Sequence, residues 1–194
     1  VTLIGPAGTG KTMIALYAGL CQAVDDWHTV IPKQAQYNRL IVTRPIQPMG
    51  KDIGYLPGTL EEKMSPWVAP INDNLQFLLG NGRDSLKEYV AEGIIEIEAL
   101  TYIRGRSINN AFIVVDEIQN MTAHELKTVI TRVGENSKIV LMGDIEQIDN
   151  VYIDETTNGL TYAVEKFKEH DIAGHITLTR GERSKVATLA AKIL

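Results

Sequence analysis

The sequence predicts an α/β fold, a mostly parallel sheet with helices on both faces, formed by a single domain over residues 1–194. Short apolar runs alternate with stretches of helical periodicity, the pattern of strands joined by crossover helices. Within the runs the residues are apolar at consecutive positions, which marks strands buried on both faces. A glycine-rich loop joins the first strand to the first helix, and two later strands end on acidic residues, where ligands of such sheets bind.

Val1 to Ile4 reads as a short buried strand running into that loop. A helix is expected from Lys11 to Val24, because Ile14, Ala15, Leu16, Ala18, Leu20 and Cys21 make it apolar on most faces. Leu40 to Thr43 is the next strand. Pro45, Pro48, Gly50, Gly54, Pro57 and Gly58 then punctuate a long loop. Thr59 with Glu62 forms a capping box opening a helix toward Trp67, with more helix to Leu79. Ser85 to Glu92 is expected as helix, Ile94 to Leu100 and Phe112 to Val115 as strands. Thr122 and Glu125 form a second capping box, behind which Leu126, Val129, Ile130 and Val133 keep the spacing of one helix face. Lys138 to Met142 is a strand, Gly159 to Lys168 a helix, Ile176 to Leu178 a strand and Ser184 to Leu194 a helix.

Hydrophobic residues make up 44% of the chain, enough for a packed core. No apolar run approaches the roughly 20 residues of a membrane helix. The opening VTLIGPAGTGKT reads as strand and loop rather than leader, and the single cysteine, Cys21, fits a reducing compartment. A cytoplasmic location without membrane contact is the expectation. The net charge of −5 has the wrong sign for a domain gripping nucleic acid with its whole surface, so such contact needs a local basic patch. The four histidines show no metal-ligand spacing.

Gly5-Pro6-Ala7-Gly8-Thr9-Gly10-Lys11-Thr12 satisfies G-x-x-x-x-G-K-[ST]. Glycines let consecutive backbone N–H groups curl around phosphate oxygens, and the following helix adds its N-terminal dipole. Lys11 is expected at the β/γ phosphates and the Thr12 hydroxyl on Mg²⁺. With glycine near 7% of residues, chance yields the pattern in under about 1% of chains this long. Phe112 to Glu117 looks like a Walker B strand, with Asp116 holding the Mg²⁺ shell and Glu117 polarising the attacking water. Gly143-Asp144-Ile145-Glu146-Gln147 ends another strand, and an amide at Gln147 can sense the γ-phosphate; Asp144 and Gln119 are secondary candidates there. Arg183, with Arg180 behind it, is the candidate to neutralise the transferring phosphoryl group, an effect of ~10³–10⁵ in rate. Arg44, Arg104 and Arg106 lie just past strands and are candidates for a polyanion, with Lys51 and Lys63 on the same surface; solvated arginines are the plain alternative.

Together these blocks resemble the PhoH family, relatives of superfamily 1 helicases. The resemblance covers essentially the whole chain and is carried by GPAGTGKT, by TRPIQPMGKDIGYLPGTLEEKMSPW, by EALTYIRGRSINNAFIVVDEIQN, by GDIEQIDN and by GHITLTRGERSKVATLAA. Within the family the chain is most similar to the branch in which a PIN-type ribonuclease domain precedes the ATPase. The resemblance implies a RecA-like P-loop NTPase fold, ATP with Mg²⁺, and an RNA helicase motor. It further implies a homo-oligomeric ring, a hexamer being one candidate size, and makes this chain a fragment with a PIN domain upstream. Ile118 departs from the alanine usual in relatives. Two other readings compete: a P-loop small-molecule kinase, which lacks the DExQ-plus-GDxxQ pair, and a nucleotide-gated binding module, against which Glu117 speaks. No N/T-K-x-D guanine signature is present.

Overall fold

The computed structural model describes residues 1–25, 27, 34–45, 60–80, 86–103 and 105–181. The elements are β1 (Thr2–Ile4), α1 (Lys11–Ala23), β2 (Arg39–Arg44), α2 (Leu60–Leu79), α3 (Leu86–Ala91), β3 (Ile95–Ala99), α4 (Leu100–Ile103), β4 (Ala111–Val115), α5 (Ala123–Ile130), β5 (Lys138–Gly143), α6 (Gly159–Phe167) and β6 (His175–Thr177). Six strands form one sheet in the order β3-β2-β4-β5-β1-β6, and every neighbouring pair is parallel. The expected α/β architecture with a parallel sheet is the one observed.

Consecutive strand residues explain the continuous apolar runs. Leu40 and Val42 of β2, with Phe112 and Val114 of β4, pack into a cluster with Leu16 and Leu20 of α1 and Ile71 and Leu75 of α2. Ile41, Ile113 and Val115 point the other way, into a cluster with Leu126 and Val129 of α5 and Leu160 and Ala163 of α6. Side chains alternate across a strand, so a sheet covered on both faces needs apolar residues at every position.

The register aligns the strand ends. Ile4 of β1 stands beside Gly143 of β5, and Val115 of β4 beside Leu141 of β5 and Thr43 of β2. The loops after β1, β4 and β5 therefore leave from one edge of the sheet.

Local signals hold at α5 and α6. The Thr122 hydroxyl accepts from the Glu125 amide at 3.2 Å, and Glu125 Oε2 accepts from the Thr122 amide at 2.9 Å, the reciprocal capping box. Asn158 caps α6 by accepting from Thr161 N at 2.9 Å.

Several boundaries shift. Strand β6 starts at His175, and α5 ends at Ile130, leaving Val133 past the following turn in an isolated bridge with Ile108. The expected strand over Ile94 to Leu100 gives way to helix α4 at Leu100. Helix α2 runs unbroken past Pro66 and Pro70, residues that normally end helices; burial of Ile71 and Leu75 against α1 and the sheet holds its second half in place. The Thr59 cap, most of the proline-glycine loop and the helix expected over Ser184 to Leu194 lie outside the described residues.

Candidate functional site

The loop between β1 and α1 takes its shape from two left-handed glycines, Gly8 at φ 82° and Gly10 at φ 83°, a region that residues with a Cβ rarely enter. Gly10 occupies the N-cap of α1, no side chain caps the helix, and its first turn carries no acidic residue. The amides of Gly8, Gly10, Lys11 and Thr12 have no acceptor among the described residues. Unpaired N–H groups at a helix N-terminus favour an anion. Other parts of the loop are engaged internally. Lys11 Nζ donates to the carbonyls of Gly5 at 2.6 Å and Pro6 at 3.0 Å. The Ala7 amide donates to Asp144 Oδ2 at 2.7 Å, across to the loop after β5.

Asp116 follows β4 and is 6% exposed. Its Oδ1 accepts from the Glu117 amide at 2.9 Å, and its Oδ2 accepts from the Thr12 hydroxyl at 3.3 Å, which brings the two expected Mg²⁺ residues together from 104 positions apart. Burial, then the neighbouring Glu117 charge, push the Asp116 carboxyl up to about 6, against the opposing pull of Arg44, the Glu117 amide and the Thr12 hydroxyl. A cation beside this carboxylate would favour its ionised form and so offset both causes.

Glu117 adopts the left-handed conformation at φ 55°, which few residues with a Cβ take up. Both of its carboxylate oxygens are engaged. Arg44, at the end of β2, places its guanidinium 3.6 Å from Oε1, and Gln119 donates to Oε2 at 2.5 Å. Gln119 is fully buried and also donates to the Gln147 carbonyl at 3.0 Å while accepting from the Asp144 amide at 3.2 Å. The Gln147 side chain itself is exposed, and Asp144 is buried with its carboxylate on the Ala7 amide.

Arg106 lies away from this edge, on the face of β3. Its guanidinium bonds Glu98 Oε2 at 2.7 Å and Glu96 Oε2 at 3.2 Å, and Arg39 pairs with Glu96 at 2.8 Å. Arg180 is exposed. Arg183, Arg104 and Lys51 lie outside the described residues, as does the side chain of Lys63.

Sequence reasoning placed Gln119 only as a secondary candidate and did not see that Arg44 meets Glu117. The spacing of Gln119 two residues past Glu117 was the available signal for the first; nothing in the pattern pointed to the second.

A hydroxyl and a carboxylate at hydrogen-bond distance, beside unpaired amides and a lysine, form a hard-oxygen donor set that fits Mg²⁺ carrying phosphate ligands of its own. No group of three or more His, Cys, Asp or Glu suited to a metal occurs among the described residues. A glycine loop leading into a helix beside a parallel strand that ends in a buried carboxylate is the architecture of a P-loop NTPase.

The family described as PhoH-like protein matches residues 1–193. Protein PhoH2 of Bacillus subtilis (strain 168) is 56% identical over 196 residues, covering 100% of this chain and 42% of the relative. Protein PhoH2 of Mycolicibacterium smegmatis is 39% identical over 195 residues, with coverage of 100% and 42%. A PhoH-like protein of Bacillus subtilis is 37% identical over 191 residues, covering 98% of this chain and 56% of that one. The chain belongs to the PhoH family of P-loop ATPases. It spans less than half the length of these PhoH2 relatives. A chain from the structure of two coordinating Pif1 helicases at forked dsDNA covers 93% of this chain and 40% of its own length with TM-score 0.37 and 14% identity, a likeness that carries nothing about function. No helix among the described residues is long and apolar enough to cross a membrane.

Proposed function

We propose that this chain is an ATP-hydrolysing motor domain that couples turnover to RNA. The observation that carries the reading is the contact of Thr12 with Asp116, which sets a phosphate-binding loop against the acidic pair closing β4. In this reading Lys11 leaves the Gly5 and Pro6 carbonyls for phosphate oxygens, and the open amides of Gly8, Gly10, Lys11 and Thr12 share the anion. Thr12 and Asp116 hold Mg²⁺, which when bound neutralises charge on the phosphates. Glu117 orients water and takes its proton as the new P–O bond forms and the bond to the leaving phosphate breaks. Gln147 senses the γ-phosphate.

The family resemblance supports the RNA partner, the homo-oligomeric ring and a PIN-type nuclease in the upstream part of the full-length protein. The single cysteine supports a cytoplasmic setting. Arg183 of a neighbouring subunit is proposed to complete each site. Arg104 is the proposed RNA contact, with Arg44 weaker because it already faces Glu117 and Arg106 weaker because two carboxylates already neutralise it.

The test is phosphate release from ATP, without any added acceptor, measured with and without single-stranded RNA. Release that rises with RNA is expected. ADP formation only with a small-molecule acceptor would support a kinase, and binding without turnover a nucleotide-gated module. Release indifferent to RNA would leave the ATPase and remove the RNA motor.

A further inference from the structure

Gln119 is 0% exposed yet polar, and three of its hydrogen-bonding capacities are used. The network fixes which way the amide faces. The Asp144 N–H is a donor and so meets Oε1, whereas the Glu117 carboxylate and the Gln147 carbonyl accept only and so meet Nε2. One amide plane thereby joins the ends of β4 and β5. Asp144, whose backbone it holds, reaches on to the Ala7 amide of the glycine loop.

Room for this amide comes from Gly143. A Cβ on Gly143 would collide with Gln119 Oε1 and lie 3.1 Å from Leu160 Cδ2. Gly143 is not among the glycines with positive φ, so its requirement is space rather than backbone conformation. The glycine and the glutamine are two halves of one seat.

We propose that Gln119 is a positioning residue that sets the Glu117 carboxylate for water attack and yokes it to the loop after β5. This rests on the reading of Glu117 as the group that orients water. Glu117 sits in a left-handed turn, where its backbone alone does not fix the side chain's aim. Arg44 stands 3.6 Å from one oxygen, and the shorter bond to the other comes from Gln119. Because the same NH₂ group holds the Gln147 carbonyl, movement of the β5 loop changes where the carboxylate points. A merely structural glutamine would serve β5 equally well without touching Glu117.

Two variants test this. Gln119→Met keeps length and burial and removes both donors. Gly143→Ala leaves every polar group in place and pushes the amide off its seat; the atom it displaces is the end of a flexible side chain, so the variant should fold. Each should lower kcat for ATP hydrolysis by about tenfold or more, the loss of a hydrogen bond to a charged group, with ATP affinity within about twofold of wild type. In a Glu117→Gln background, Gln119→Met should lower the residual rate no further, because Gln119 acts through Glu117. Wild-type kcat in either folded variant would overturn the proposal. So would a full additional loss in the double variant, or an affinity drop matching the loss in kcat. Normal turnover by Glu117→Gln alone would instead reject the role of Glu117 on which the proposal stands.

Discussion

Replacing Asp116 with asparagine should flatten part of the protein's pH–stability curve. The folded state holds the Asp116 proton up to about 6, against an ordinary value of 3.8. Between those values the native chain binds more protons than the unfolded one, so stability falls as pH rises, the sign expected for a carboxyl whose folded value is raised. At 1.36 kcal/mol per tenfold change the full cost is about 3 kcal/mol, present above pH 6 and absent below pH 4. About half of it, on the order of 1–2 kcal/mol, develops between pH 5 and 8. Asparagine does not titrate, and its amide can still accept from Glu117 N and meet the Thr12 hydroxyl. Urea unfolding of wild type and Asp116→Asn, in chelator and without nucleotide, should therefore show the variant gaining on the order of 1–2 kcal/mol on wild type from pH 5 to pH 8. A difference constant across that window would refute the burial argument. With Mg²⁺ and nucleotide added, the wild-type slope should shrink, because a cation favours the ionised carboxylate.

Other consequences are simpler to check. Thr122→Ala breaks the reciprocal cap of α5 and should cost about 1 kcal/mol, read as a Tm lower by about 2–4 °C. Mixing Lys11→Ala with Arg183→Ala protein should restore part of the ATPase through hybrid interfaces; failure to complement, with both variants folded and assembled, would exclude an arginine supplied by a neighbour.

Much of the fold was legible because it depends on local rules. The continuous apolar runs at 40–42 and 112–115 marked strands buried on both faces, and Thr122 with Glu125 located a helix start. The glycine loop was legible because its chemistry restricts residue type at fixed spacing. Contacts made across the sheet were harder to see. Gln119 takes its partners from the ends of β4 and β5, and its importance depends on strand order, which a linear pattern does not encode. Arg106 was expected to face a polyanion, but the period of β3 puts Glu96 and Glu98 on one face, within reach of it. The helix expected toward Trp67 and on to Leu79 is one continuous α2, whose second half is held through Pro70 by burial of Ile71 and Leu75.

The decisive comparison sets ATP binding and phosphate release side by side for wild type, Lys11→Ala and Glu117→Gln. Lys11→Ala should bind ATP about 10- to 100-fold more weakly, the loss of a charged contact to phosphate. Glu117→Gln should bind at wild-type affinity and release phosphate about 10²–10⁴ times more slowly, the range for a positioned general base. Full affinity in Lys11→Ala, or undiminished release by Glu117→Gln, would contradict the assignment of this edge of the sheet as the hydrolytic site.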